Sequence, residues 1–342
     1  VSGDLQSQSG GGAGGGGDGA STPPKFSVAG AGAIITNFTD IDATALIDGA
    51  VIQGVGQSAT RVKVRAVSDL TQLSLAGGGA LTMASNPGTS FSSSIAGAVA
   101  IQSSDDDVTA RINNSSLTQI ADEAGAFTVQ ALKSGERTAV ATGISANLSK
   151  GSTSDLSIVG SVSITHVQDD TAASVTDSTV TGIQASSTRL DPSVVAYERS
   201  RVGAGGGALS VSTGKGSAGV GATISLVDQE GSTSAVLSGG HMTQVHNLSV
   251  AALSSQKVVG VGAVAGVQTD SSSKGQLMGA FVFNDLSNSL SAGVKNGAVV
   301  NLSGDLTVRA GGAPSDNVLD ALLGTVQTST VTDYDMKSAG NG

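Results

Sequence analysis

The segment GDLTVRAGG, residues 304 to 312, has four related segments earlier in the chain. They are RVKVRAVS (61 to 68), AFTVQALK (126 to 133), SVVAYERS (193 to 200) and LSVAALSS (248 to 255). One such segment would be an ordinary strand, whereas five indicate a repeat architecture in which every unit contributes an equivalent strand. The central valines of these segments are predicted to be Val64, Val129, Val195, Val250 and Val308.

Side chains alternate between two faces of a strand, so each segment can be divided into an inner and an outer set. In the first copy Val62, Val64 and Ala66 share one face, and Lys63 and Arg65 share the other. The second, fourth and fifth copies repeat this division, and the third is the poorest match. The pattern predicts a column of strands that point equivalent valines into a common interior.

Two further signals recur in fixed order with this segment. A strand of small residues opens on Gly32, Gly97, Gly160, Gly221 and Gly279. About fifteen residues later, a short apolar strand runs into a turn dipeptide that tolerates positive φ: Asp-Gly, Asn-Asn, Thr-Asp, Gly-Gly and Asn-Gly. The chain therefore contains about five repeats of roughly sixty residues.

The composition favours a thin, all-β core. The 342 residues include 49 Gly and 6 Phe but no Trp and no Cys, and 39% are hydrophobic. Small and β-branched side chains suit the narrow layers of a β-solenoid, a parallel β-helix-like stack, and we expect Phe281 and Phe283 to lie in those layers. Gly-rich strand pairs between the repeats form either hairpins or consecutive sides of a coil. One wide turn per repeat would advance the stack by about 25 Å over five repeats, and three narrow turns by about 70 Å.

Three regions are distinguished along the chain. Residues 1–25 are interpreted as a flexible Gly-rich linker or the end of a preceding module, residues 26–312 as the solenoid, and residues 313–342 as a connection or capping segment. Residues 316 to 324 are the one stretch with a helical pattern. The first residues carry no secretion signal, so we expect one segment of a larger chain.

Charge and hydropathy limit the partners. The net charge is −10 and the pI is about 4.6, which argues against nucleic acid as a partner. The longest apolar run, residues 258 to 267, is half the length of a membrane-spanning helix. Without Cys, neither disulfides nor thiolate metal sites can form.

The repeats resemble those of large secreted bacterial surface proteins. GAGAIITNFTDIDATALIDGAVI and MGAFVFNDLSNSLSAGVKNGAVV are similar to units of filamentous-haemagglutinin-like and leukotoxin-type adhesins and of autotransporter passengers. The resemblance covers residues 30 to 312. It implies a stalk or adhesive passenger, secreted to or held at a Gram-negative cell surface by an autotransporter or two-partner route.

Acidic residues recur near equivalent positions of the repeats. They are Asp40 and Asp42, Asp105 to Asp107, Asp169 and Asp170, Asp228 with Glu230, and Asp285. A row of cation or carbohydrate contacts would use such carboxylates, but their spacing is not conserved between repeats, so we interpret them as solvated turns that discourage edge pairing.

Other candidate groups also favour structural roles. His241 and His246 are separated by an odd number of residues, which places them on opposite faces of a strand, and His166 is isolated. Basic residues alternate at Arg61, Lys63 and Arg65 and at Arg199 and Arg201, as expected of charged surface residues that prevent apolar strands from aggregating. We therefore predict no catalytic, cofactor-binding or metal-binding residue and no cofactor.

The sequence thus predicts a non-enzymatic adhesin or stalk segment that binds a host or bacterial surface glycan or protein. Its contact surface is expected at the longer turns, especially residues 181 to 192. The alternatives are a polysaccharide-active β-helix enzyme and a phage-fibre or surface-layer protein.

Overall fold

The computed structural model describes residues 25–54, 59–84, 89–149, 154–183, 190–269 and 274–312. Residues 1 to 24 of the predicted linker and the predicted connection at 313 to 342, with its helix at 316 to 324, lie outside these residues, whereas Lys25 begins the first strand. Within them the chain forms fifteen strands and no helix, and hence no helix that could span a membrane. The strands are β1 (Lys25–Asp48), β2 (Val51–Gln53), β3 (Val62–Ala84), β4 (Thr89–Asn113), β5 (Ser116–Ile120), β6 (Ala124–Ser149), β7 (Asp155–Thr176), β8 (Thr179–Gly182), β9 (Asp191–Ser212), β10 (Ala218–Ser238), β11 (His241–Val245), β12 (Leu248–Gln268), β13 (Gly275–Lys295), β14 (Val299–Leu302) and β15 (Leu306–Gly312).

The strands form three parallel sheets of five strands each. Sheet A contains β1, β4, β7, β10 and β13, sheet B contains β2, β5, β8, β11 and β14, and sheet C contains β3, β6, β9, β12 and β15. Every repeat contributes one strand to each sheet, so that one repeat is one rung of the stack. The predicted all-β solenoid of about five repeats is confirmed.

Each repeat makes one wide turn. The Gly-rich segments that the sequence left as hairpins or coil sides continue the long strands, which pair in parallel with the neighbouring rungs. A 24-residue strand such as β1 is roughly 80 Å long, whereas five rungs stack to only about 24 Å. The solenoid is therefore much wider along its strands than it is tall.

The valine column lies on the inner face, with one correction, and is buried in the first four rungs; Val308, at the open end of the stack, is 44% exposed. Val64 pairs with Val129, Val129 with Val194, Val194 with Val250, and Val250 with Val308. The prediction of Val195 was wrong by one residue. Both residues 194 and 195 are valine, and a register shift between Ala124 and Thr128 of β6 makes Val194 the inner residue. Val195 faces outward, where it is buried in a small cluster with Tyr197.

The predicted turns are confirmed as a column of left-handed residues. The first residue after each sheet A strand has positive φ: 61° at Gly49, 46° at Asn114, 47° at Asp177, 64° at Gly239 and 55° at Asn296. Asn, Asp and Gly adopt this conformation at least cost. The amides of the first four turn residues donate hydrogen bonds to the next rung, as Asn114 N does to Thr176 O over 3.0 Å.

Two other expectations about register and burial were wrong. Gly32, Gly97 and Gly160 pair in register, but Gly160 and Gly279 both pair with Ala222, so the prediction of Gly221 is off by one residue. Phe281 and Phe283 lie on the outer face of sheet A and are 56% and 50% exposed. Alternation places them outward because Val282, which lies between them, points inward toward Gly260 and Gly262 of sheet C.

The interior changes character along the strands. Next to sheet B lies the largest apolar cluster, which includes Val64, Val129 and Ile112. A layer of buried charged side chains follows, then a region of alanine and glycine, and finally serines and asparagine at the far end, where Ser92 Oγ donates to Asn147 Oδ1 over 2.8 Å. Small residues let sheets A and C approach closely.

Candidate functional site

A shallow apolar groove runs across the outer face of sheet A. The glycine column of Gly32, Gly97 and Gly160 forms its floor, because these residues have no side chain to fill it. One wall is the register column of Ile34, Val99, Val162 and Ile224. The groove has a volume of about 420 Å³ and crosses the first four rungs. An exposed apolar surface of this kind is typical of an interaction site.

A second groove lies on the outer face of sheet C. Gly203 and Gly205 form its floor, and Val140 and Val261 of the neighbouring rungs border it. Its charged edge consists of Glu136, Arg201 and Lys257, which occupy one register column of three successive rungs. The groove has a volume of about 390 Å³. Unlike the sheet A groove, it has acidic and basic side chains beside its apolar floor.

The acidic residues do not lie in turns. They belong to the middle of the long sheet A strands, and alternation directs most of them outward. Asp40 pairs with Asp105, Asp42 with Asp107, and Asp107 with Asp170, so the carboxylates form columns on the same face of sheet A as the groove, with Asp42 about 26 Å along β1 from Ile34. Burial, followed by repulsion from Asp170 and Asp105, raises the pKa of the Asp107 carboxyl.

Two of these acids face inward and were missed as interior residues. Asp106 and Asp169 are fully buried between the sheets, where they meet Lys133 and Arg137 of β6. Arg137 binds both carboxylates, at 2.9 Å to Asp106 and 3.3 Å to Asp169. The sequence could have shown this: in QSSDDDVTA, the middle aspartate, Asp106, is two residues before Val108 and four before Ala110, so it shares their inward face of the strand.

Glu198 completes this interior charged cluster, which we define as Asp106, Lys133, Arg137, Asp169 and Glu198. Lys133 and Glu198 are register partners on the inner face of sheet C. The Glu198 carboxyl accepts hydrogen bonds from Thr233 over 2.8 Å and from Gln256 over 2.7 Å. Burial, and secondarily the charge of Asp169, raises the pKa of Glu198. Burial is also the main cause of the raised pKa of Asp106.

The remaining sequence candidates are dispersed. His241 lies on β11 and His246 follows it, where its Nδ1 is 3.1 Å from Ser303 Oγ; His166 pairs with Asp228 of the next rung. Over the described ranges, His, Asp and Glu form no group of three or more that could hold a metal ion. Lys63 and Arg65 of β3 and Arg199 and Arg201 of β9 lie on the outer face of sheet C, where Arg201 borders the groove, and Arg61, which precedes β3, forms an ion pair with Glu123. Of the proposed contact loop, residues 184 to 189 lie outside the described part of the chain.

Comparisons with known proteins assign no relative. No family model, no curated protein and no solved structure matches this chain.

Proposed function

We propose that this chain is a non-enzymatic segment of a large bacterial surface protein, secreted to the cell surface, where it acts as an adhesive stalk. The observation that carries the proposal is the apolar groove of sheet A, which crosses four rungs of a wide parallel scaffold. Backbone pairing along strands of more than twenty residues supports this surface, and a rigid scaffold that presents a flat face suits adhesion.

A surface protein is the ligand that fits this groove best. The wall residues Ile34, Val99 and Val162 are aliphatic, and the described residues that line the groove include no aromatic side chain on which a sugar ring could stack; Phe281 extends the wall column only in the fifth rung, beyond Ile224. The carboxylate columns of Asp42, Asp107 and Asp170 lie on the same face of sheet A, about 26 Å along the strands from the groove wall, and favour a partner whose basic residues lie at that distance from its apolar strip.

The buried carboxylates argue for a structural role rather than hydrolysis of a polysaccharide. Asp106, Asp169 and Glu198 converge in the interior, where they are fully buried between the two long sheets. A polymer chain would have to reach its catalytic acids from solvent. The alternative of a polysaccharide-active enzyme would therefore depend on the outward carboxylates alone.

An attachment assay tests the proposal. Beads coated with the purified protein should attach to host epithelial cells or to bacterial cells, and treatment of those cells with protease should abolish attachment. Ile34→Glu should lower attachment about tenfold because it places a charge in the groove wall. Leu46→Glu is the matched control, since Leu46 lies on the outer face of the same strand and is similarly exposed, at 54% against 51% for Ile34.

Other outcomes would contradict the proposal. Equal attachment of the two variants would show that the groove is not the contact surface. Attachment that survives protease but is lost after glycosidase treatment would make the ligand a glycan. Shortening of acidic or neutral polysaccharides during incubation would favour the enzyme instead.

A further inference from the structure

The interior charged cluster places a lysine amine against an aspartate carboxyl in a buried site. The distance from Lys133 Nζ to Asp169 Oδ1 is 2.5 Å, and that from Lys133 Nζ to Asp106 Oδ2 is 3.5 Å. The side chains of Lys133, Asp106 and Asp169 are at most 1% exposed. Lys133 comes from β6 of sheet C and Asp169 from β7 of sheet A, so the two groups meet across the interior.

Keeping all these groups ionised costs free energy. The cluster has two basic and three acidic side chains, and each buried ion loses its hydration. An amide between Lys133 and Asp169 would remove one positive and one negative charge. Arg137 would then remain paired with Asp106, at 2.9 Å. Glu198 would keep its hydrogen bonds from Thr233 and Gln256.

We propose that Lys133 and Asp169 join in an intramolecular amide bond, with Asp106 transferring the protons and Arg137 stabilising the oxyanion. The proposal does not depend on the adhesive role. It concerns the covalent structure of the folded chain and needs no cofactor, oxidant or second protein.

The reaction is a dehydration, and all its proton transfers and charge changes take place among the side chains of Lys133, Asp169, Asp106 and Arg137. Asp106 takes a proton from the Lys133 ammonium and passes it to Asp169 Oδ1, which leaves a neutral amine beside a neutral carboxyl. The nitrogen lone pair then forms a bond to Asp169 Cγ, and the carbonyl electron pair moves to Oδ2, which Arg137 binds at 3.3 Å.

The tetrahedral intermediate then loses water. Asp106 moves a second proton from the nitrogen to Oδ1, the Cγ–Oδ1 bond breaks, and the Oδ2 carbonyl re-forms. One amide and one water result, and Asp106 returns to its starting state. Because the reacting atoms are already held together, the step benefits from the large effective concentrations of intramolecular reactions.

Mass spectrometry of the denatured full-length protein decides the question without any variant. We expect an intact mass below the sequence mass by about 18 Da, the mass of one water, as the condensation requires. After digestion with trypsin, residues 112–137, uncleaved at Lys133, should appear joined to residues 151–189. An unmodified mass would overturn the proposal. A loss of water confined to one linear peptide, such as a succinimide at Asp48-Gly49, or mapped to another residue pair, would overturn it as well.

Variants test the assigned roles. Lys133→Arg keeps the charge but cannot form the amide, so its full sequence mass should return. Lys63→Arg, on the outer face of sheet C, is the matched control and should retain the loss of water. Asp106→Asn should leave most molecules unlinked, because it removes the proton-transfer group while Lys133 and Asp169 stay in place. Complete linkage in Asp106→Asn would refute the role of Asp106, and a water loss in Lys133→Arg would refute the bond itself.

Discussion

Replacement of Gly78 by alanine should destabilise the solenoid strongly. A Cβ atom at Gly78 would lie 2.0 Å from the carbonyl oxygen of Gly97 in the facing sheet. This is about 1.4 Å inside the 3.4 Å at which ordinary contact begins, and the obstacle is backbone rather than a flexible side chain. Relief would require sheets A and C to separate locally. Such overpacking in a close-packed interior costs about 3 kcal/mol or more.

The neighbouring glycines provide a graded series. Gly79→Ala meets nothing within 4 Å and faces outward, so its effect should lie between zero and about 1 kcal/mol of stabilisation. A Cβ atom at Gly143, the register partner of Gly78, would lie 2.8 Å from the Gly160 carbonyl oxygen, so the effect of Gly143→Ala should fall between those of the other two variants.

Urea unfolding followed by far-UV circular dichroism measures this series, because the chain has no tryptophan for fluorescence. The expected order of unfolding midpoints is Gly79→Ala highest, then Gly143→Ala, then Gly78→Ala. If Gly78→Ala unfolded at the same urea concentration as Gly79→Ala, the two long sheets would not approach as closely as described here.

Three further perturbations address the interior and the turns. Arg137→Met should lower the free energy of unfolding by about 3–5 kcal/mol, because it leaves the buried Asp106 without its guanidinium partner. Thermal unfolding monitored by circular dichroism would detect this loss. An unchanged unfolding midpoint would contradict the pairing. Glu198 has a raised folded-state pKa, so the folded state keeps its proton where the unfolded state loses it, and stability should fall as the pH rises from the ordinary glutamate pKa to the raised value. Glu198→Gln should therefore be more stable than the wild type at neutral pH and lose this advantage near about pH 4, as a pH series of melting curves would show; a constant difference would refute the assignment. Asn114→Val should lower the free energy of unfolding by about 1–2 kcal/mol, because φ at this position is 46° and valine adopts that conformation only at a cost. Asn114→Gly should be tolerated. Equal melting temperatures of the two variants would contradict the left-handed turn.

The sequence predicts the architecture better than the register. Repeats of similar length, turn dipeptides and alternating valines are local signals, and they correctly predict the solenoid and its left-handed turn column. The errors at Val195 and Gly221 arise where inner and outer residues are chemically alike. In SVVAYERS both candidate positions are valine, so period 2 alone cannot choose between them, and a shift in the neighbouring strand decides.

The interior charged cluster could be predicted only in part. The alternation of side chains along the strand places Asp106 inward, because it lies on the same face as the inner residues Val108 and Ala110. Its partners Lys133 and Arg137 follow about thirty residues later, and their proximity depends on how the two long sheets face each other. The same holds for Gly78 and Gly97, because the sequence reveals two glycines but not the distance between the sheets that contain them.

The width of each rung determines what growth of the stack can achieve. The register partners Ala45, Ala110, Ala173, Ala235 and Ala292 are 65, 63, 62 and 57 residues apart, yet each step lifts the chain by only about 4.8 Å. The same residues fully extended would reach roughly forty times as far. Added rungs therefore enlarge the outer surface of the sheets and lengthen the molecule only slightly. Each added rung also presents a similar surface motif again. A partner with its own regular spacing could engage many weak contacts at once, so that avidity rather than any single strong contact would hold the two together.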